Sequence, residues 1–276
     1  MPRSLRFMTD EFTESQKEPP SRQGLDALRC SASAEASKGG FSLLYEKIRE
    51  RAGADAPIYL VDLRQESHGF VNGDIPVSWH VDRNWGNYGN GATTVQKAEQ
   101  MRLAALVGTT ATFLPMGNAD TKILSPITEK VVSAEPEEAI ARKLGFRYVR
   151  IAATDQASPS DESIDAFLAF VSTLPPDAWL HFHCHAGHGR TTTFMAFYDI
   201  LRNPDLPLET IVARQHALGG TNLFAAGNRD NWRGQETSKR ADQVRKFYAY
   251  VQATRGKDAP IPFSEWAGQK RRQRQK

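Results

Sequence analysis

HFHCHAGHGRTTTF, residues 181–194, gathers one of the two cysteines, four of the seven histidines, two glycines, an arginine and three threonines. By apolar pattern, WLHFHC (179–184) reads as a buried strand and RTTTFMAFYDILRN (190–203) as a helix stopped at Asn203-Pro204. The quoted segment is therefore the end of a strand, a tight turn and the start of a helix. Gly187 and Gly189 supply the backbone freedom that such a turn needs. Its amide N–H groups converge in front of the helix N-terminus, where the macrodipole favours negative charge. The result is a phosphate cradle, formed by His185, Ala186, Gly187, His188 and Gly189.

The same field acts on sulfur. A thiol at a helix N-terminus beside a guanidinium loses its proton below the free value of about 8.5, which makes Cys184 a thiolate nucleophile at neutral pH. Thr191 is placed to donate a hydroxyl hydrogen bond to it, and Arg190 can hold two phosphoryl oxygens in its planar fork. A cysteine followed six positions later by arginine is a weak signal alone. The glycines, the threonine, the preceding strand and the following helix make it strong. Cys30, by contrast, is followed six residues on by Ala36 with no glycine between.

Two other readings of Cys184 compete. It could be an inert core cysteine, or a zinc ligand together with His181, His183, His185 and His188, three of which alternate as strand residues do. Metal ligation leaves Gly187, Gly189, Arg190 and Thr191 without a role, so neither metal nor cofactor is expected. Instead His183 orders the loop by hydrogen bonding, and His185 and His188 line the pocket.

Expelling an alkoxide from a phosphomonoester calls for a positioned acid above the cradle. Asp155 is the candidate, in the loop TDQASPSD (154–161) that follows the strand RYVRIAA (147–153). Loops at the carboxyl ends of such strands gather at a ligand crevice. Asp161 and Glu162 compete, but they stand where a helix cap and first turn would use them.

The rest of the chain bounds the reading. Its 276 residues, 40% hydrophobic and 24% charged, suffice for one large domain with an appendage. No apolar run approaches the roughly 20 residues of a membrane helix, and MPRSLRFMTDEFTE lacks the apolar stretch of a secretory signal. A soluble protein is expected, with no membrane or nucleic-acid partner; export to a periplasm, the medium or a host is compatible with that. The net charge of +3 points to no polyanion-binding face, because KRRQRQK at the C-terminus carries five positive charges and removing them turns +3 into −2. That tail, 268–276, reads as a solvated, disordered end.

Strand and helix alternate from about residue 40. A helix over 40–52 and a strand PIYLVDLR (57–64) precede a change of texture at 86–146, where GTTATFLPMG and SPITEKVVSA read as short strands around a helix at 94–104. This section is expected to be an inserted small β-subdomain between two parts of one catalytic domain, 1–85 and 147–276. Residues 10–40 read as a mostly irregular arm, and a last helix is expected over 237–254.

HCHAGHGRTT, with VDLRQESHGFVNG (61–73), RIAATD (150–155), AWLHFHC and PSRQGLDALRCSAS (20–33), resembles the bacterial cysteine phytases of the protein-tyrosine-phosphatase-like class. The resemblance implies an α/β fold: a tyrosine-phosphatase-like core with a central mixed sheet flanked by helices, plus a small inserted partial β-barrel. It implies stepwise, metal-independent hydrolysis of inositol polyphosphates, a small-molecule substrate. By position, Cys184 is then the nucleophile, Arg190 the phosphate clamp, Thr191 the thiolate partner and Asp155 the general acid. Arg6, Arg233 and Arg240 fall on basic positions facing substrate, and Gln156 on a position beside the phosphate. Arg64, Glu66 and His68, in RQESHG, are expected as a buried network under the pocket. The sequence departs from the family where Gln156, Ala157, Ser158 and Pro159 replace the usual histidine and tryptophan-proline, in the reduced basic stretch NADTK (118–122), and at Thr237 where an aromatic is common. The rival functions are a protein tyrosine or dual-specificity phosphatase with the same loop, and a non-catalytic inositol-phosphate binding module.

Overall fold

The computed structural model describes residues 1–13, 18–114, 125–257 and 260–274. A five-stranded sheet runs through it in the order β1 (Arg6–Phe7), β2 (Cys30–Ala34), β10 (Trp179–Cys184), β3 (Ile58–Arg64) and β9 (Arg147–Ala153). β1 pairs antiparallel with β2 and the other pairs are parallel, so the sheet is mixed. The parallel strands carry apolar residues towards both faces, as strands covered on both sides do. Val61, Leu63, Leu180 and Phe182 meet the helices α4 (Asp161–Ser172), α5 (Gly189–Arg202) and α7 (Trp232–Thr254) in one cluster, while Ile58, Leu60 and Trp179 meet α1 (Lys38–Ala52) and α3 (Glu137–Lys143) in another. Each buried Phe or Leu in these clusters contributes about 1.5–3 kcal/mol relative to exposure.

Two expectations need amendment here. The arm at 10–40 is irregular over most of its described residues, but it contains a strand that was not expected, Cys30–Ala34, fully buried in the sheet. CSASA has no branched or aromatic residue to announce it, and what holds it there is backbone pairing with β10 on one side and β1 on the other. The basic tail is likewise helical through most of its length, as part of α8 (Phe263–Arg274). Phe263 and Ala267 are buried in the main cluster and Trp266 packs against it, one apolar stripe at helical spacing beneath the charges. A further helix not anticipated from sequence, α6 (Leu208–Ala217), packs on α5.

The changed texture after residue 86 corresponds to α2 (Ala92–Leu106) and to small antiparallel sheets. β6 (Thr110–Phe113) pairs with β7 (Ile127–Lys130). A three-stranded sheet joins β5 (Ile75–Ser78), β4 (His68–Val71) and β8 (Ala134–Glu135), so strands from both sides of residue 86 pair with one another. Conversely α3, within 86–146, packs Ile140 and Ala141 into the core beside Phe41. NADTK (118–122) lies outside the described residues.

Register sets the site. β10 and β3 align His183 with Asp62, β10 and β2 align His183 with Ser33, and β3 and β9 align Asp62 with Arg150. One row of polar side chains therefore crosses the sheet a single residue before Cys184, at the carboxyl ends of the parallel strands.

Candidate active site

β10 ends at Cys184 and α5 begins at Gly189, so the turn between them is as tight as its two glycines require. Gly187 adopts φ +75°, and a Cβ there would stand 2.5 Å from the Ala34 backbone nitrogen. Only glycine lets the loop lie this close to β2. No side chain caps α5, which leaves its first N–H groups free for an anion. His185 is half-buried, Ala186 and His188 are exposed on the loop surface, and Gly189 is half-buried at the helix start.

Cys184 is buried beneath this loop, and Thr191 Oγ1 donates to its Sγ at 3.0 Å. Burial pushes the thiol up, but the Arg190 guanidinium, the Thr191 hydroxyl and the N–H groups of Thr191 and Gly187 outweigh it, and the pKa falls below the ordinary thiol value. Cys30, without such partners, is pushed well up by burial and by Asp199. Both cysteines are free.

Arg190 is aimed by a forked pair with Glu66, whose oxygens accept from its two terminal nitrogens at 2.6 and 2.9 Å. The Ala153 carbonyl accepts a further bond, and Asp155 Oδ1 lies 3.0 Å from Nη2. Nε–H has no acceptor among the described residues, so it remains for a ligand oxygen. Burial works against the Glu66 charge, yet Arg190 and Arg64 hold its pKa well below the carboxylate range. Asp155 is thus brought beside Arg190, 22% exposed, on the loop after β9. Its Oδ2 accepts from Asn84 Nδ2 at 3.1 Å and its carbonyl from Trp85 Nε1 at 2.7 Å.

Beneath the loop lies the polar row, enlarged into a buried ion-pair network. Five carboxylates, Glu35, Asp62, Glu66, Glu99 and Glu137, face three guanidiniums, Arg64, Arg150 and Arg190. Protonation of His68 and His183 brings the two signs level. Burial favours neutral imidazole at both, but Glu137, 2.9 Å from His183, raises that pKa to about 9, and Asp62 and Glu99 raise that of His68. Two sets within this network, Glu35/His68/Glu137 and Asp62/Glu137/His183, have ligand atoms close enough together for a metal ion. Arg64 and Arg150 already pair with their carboxylates, so this donor set has the chemistry of an ion-pair cluster. His181 is different: it sits between Ser31 and Ser33 hydroxyls, and burial keeps it neutral.

The outlying positions divide. Arg240 is buried against the loop, where a Cβ on Gly189 would be 3.1 Å from its Nη1, and its Nε–H has no acceptor among the described residues. Burial and nearby Arg190 lower its pKa. Arg233 is exposed and donates to Gln156 Oε1 at 3.0 Å. Arg6 lies behind the loop rather than on its open side: it donates to the Gly187 carbonyl at 2.9 Å and to Thr192 Oγ1 at 3.2 Å. Its short strand β1 holds it there, and burial brings its pKa down to about 10. Glu35, Asn84, Trp85, Glu99 and Glu137 were not singled out from sequence. Only Asn84 and Trp85 carried any signal, in the Asn- and Gly-rich run NWGNYGNG (84–91).

A family model described as PTP-like phytase, inositol hexakisphosphate, matches residues 61–202, just over half of the chain. The chain belongs to the PTP-like phytase family. Among solved members, a PTP-like phytase from Bdellovibrio bacteriovorus is 31% identical, with 96% of this chain and 95% of that one covered and a TM-score of 0.70. The PTP-like myo-inositol phosphatase from Mitsuokella multacida, solved with myo-inositol-(1,3,4,5)-tetrakisphosphate, is 38% identical at a TM-score of 0.88, covering 97% of this chain and 47% of that chain. An effector protein, hopD2, of Pseudomonas syringae pv. tomato is 30% identical over 178 residues, 63% of this chain and 38% of its own length. The chain therefore spans less than half the length of both the Mitsuokella protein and the effector. The phytase-like α/β fold expected from the sequence is the fold these structures share.

Proposed function

We propose that the chain hydrolyses inositol polyphosphates one phosphate at a time, without a metal, through a phosphocysteine. The observation that carries this reading is the Cys184 thiol, lowered in pKa and bonded to Thr191, beneath an uncapped helix N-terminus and the Arg190 fork. The thiolate attacks phosphorus, forming the S–P bond as the P–O bond to the ring breaks, and Asp155 gives its proton to the departing alkoxide. Asp155 then takes a proton from the water that attacks phosphocysteine, and inorganic phosphate leaves. Arg190, with its free Nε–H, spreads the charge of the equatorial oxygens. Buried Arg240 and exposed Arg233 suit the further phosphates of a polyanionic ring, and the Mitsuokella relative bound to a tetrakisphosphate supports that substrate class.

The deciding experiment is phosphate release from inositol hexakisphosphate with Cys184→Ser beside the wild type. Release that survives EDTA and is lost on thiol alkylation and in the variant is expected. Faster release from a phosphotyrosine peptide would favour the protein-phosphatase reading. Binding of inositol hexakisphosphate without any release would favour the binding module. Among the described residues no helix is long and apolar enough to cross a membrane. The likeness to an effector supports action outside the producing cell, which fractionation of a producing culture in contact with host cells tests.

A further inference from the structure

The segment before α2 makes contacts that its sequence does not explain. Arg83 and Asn84 are consecutive non-glycine residues at φ 55° and 65°, in the left-handed region. Such residues are uncommon and persist where their surroundings over-determine them. What surrounds them is the Asp155 loop, which has its own left-handed residue in Gln156 at φ 56°. Asn84 is buried and donates to Asp155 Oδ2 at 3.1 Å, and Trp85 donates to the Asp155 carbonyl at 2.7 Å. The tryptophan is fixed in turn by stacking on Tyr88 at 5.2 Å and by an edge contact with Trp232 of α7 at 5.7 Å. The Arg83 guanidinium lies 4.7 Å over Trp232 and 5.3 Å over Trp85.

Resting on the assignment of Asp155 as acid, we infer that Asn84 and Trp85 are positioning residues for proton delivery: they fix where the carboxyl points. Asn84 Nδ2 holds Oδ2, which leaves Oδ1 turned to Arg190 Nη2 at 3.0 Å, beside the phosphate clamp. Trp85 fixes the main chain from which that carboxyl hangs. Among the described residues, the side-chain hydrogen bonds of Asn84 and Trp85 go to Asp155 and not to the phosphate loop, so their effect is specific to the step that needs the acid.

Leaving-group chemistry reads that step. An inositol alkoxide needs a proton, whereas p-nitrophenolate departs without one, and a positioned acid contributes about 10²–10⁴-fold where it is needed. Asp155→Asn, Trp85→Phe and Asn84→Gly are compared on inositol hexakisphosphate and p-nitrophenyl phosphate. Phenylalanine keeps the ring stacking and glycine tolerates the left-handed backbone, so the two variants test the idea by independent means. Asp155→Asn should lose about 10²-fold or more on the inositol substrate relative to the aryl one. Trp85→Phe and Asn84→Gly should each lose about tenfold or more in the same ratio, and add little when combined with Asp155→Asn. Equal losses on both substrates, or losses that multiply with that of Asp155→Asn, overturn the positioning role while leaving the acid assignment standing. If Asp155→Asn itself shows no leaving-group dependence, the acid assignment falls first and the positioning role with it.

Discussion

Replacing Thr191 by valine removes one hydroxyl and keeps the branched shape of a fully buried side chain. The bond lost is an O–H donor to Cys184 Sγ at 3.0 Å. A hydrogen bond to a charged group contributes about 1.5–3 kcal/mol, and each pKa unit corresponds to 1.36 kcal/mol, so the thiol should titrate about 1–2 units higher. Arg190 and the N–H groups of Thr191 and Gly187 remain, so the shift is partial. The assay is the rate of iodoacetamide alkylation against pH, with the modified cysteine identified by mass spectrometry, because Cys30 is also free and buried. The acid limb of kcat/KM should move by the same amount, and Thr191→Ser should restore it. Linkage adds a second reading. The folded pKa is depressed, so the thiolate adds stability above the unfolded thiol value of about 8.5 and loses it as pH falls through the folded value. Thr191→Val shrinks that contribution. A midpoint that stays in place or moves down would refute the claim that this hydroxyl holds the charge.

Gly187→Ala puts a Cβ 2.5 Å from the Ala34 nitrogen at φ +75°; melting curves should show about 1–3 kcal/mol of destabilisation, and phosphate release should be largely lost. His183, raised to about 9 by Glu137, contributes stability that is complete below its unfolded value of about 6.5 and is lost as pH rises through 9. The stability that Glu137 adds, read as the wild-type urea midpoint minus that of Glu137→Gln, should therefore fall between pH 6.5 and 9, the opposite trend of the Cys184 thiolate being common to both proteins. Arg240→Met removes a buried cation beside the loop, so KM for inositol hexakisphosphate should rise about tenfold, clearly more than KM for p-nitrophenyl phosphate; equal effects would remove Arg240 from the outer phosphate contacts.

What could be read beforehand was what the chain holds within a few residues. Cys184, Gly187, Arg190 and Thr191 share one strand-turn-helix, so spacing and residue type disclose both their geometry and their chemistry. Asp155 follows from the strand pattern before it. The ion-pair network was legible only in its RQESHG part, because Glu35, Glu99 and Glu137 lie on separate elements and become partners only when β2, α2 and α3 dock. Cys30–Ala34 escaped notice because small residues carry no strand propensity of their own. Arg6 was recognisable as part of the site, but its side of the loop was not, since that depends on the pairing of two residues with β2.

The loop bearing Asp155 is also fastened to α7: Gln156 accepts from Arg233, and the Ser158 amide donates to Glu236 at 3.3 Å. Arg240 stands two turns further along that rod, about 10 Å at 1.5 Å per residue. On the proposed function, an inositol ring lodged against Arg240 is indexed to the same helix that fastens the loop of the proposed acid. Which phosphate is offered first and how fast it departs are then not independent traits. Evolution, or an engineer, cannot re-aim the ring by sliding α7 without also retuning the chemistry.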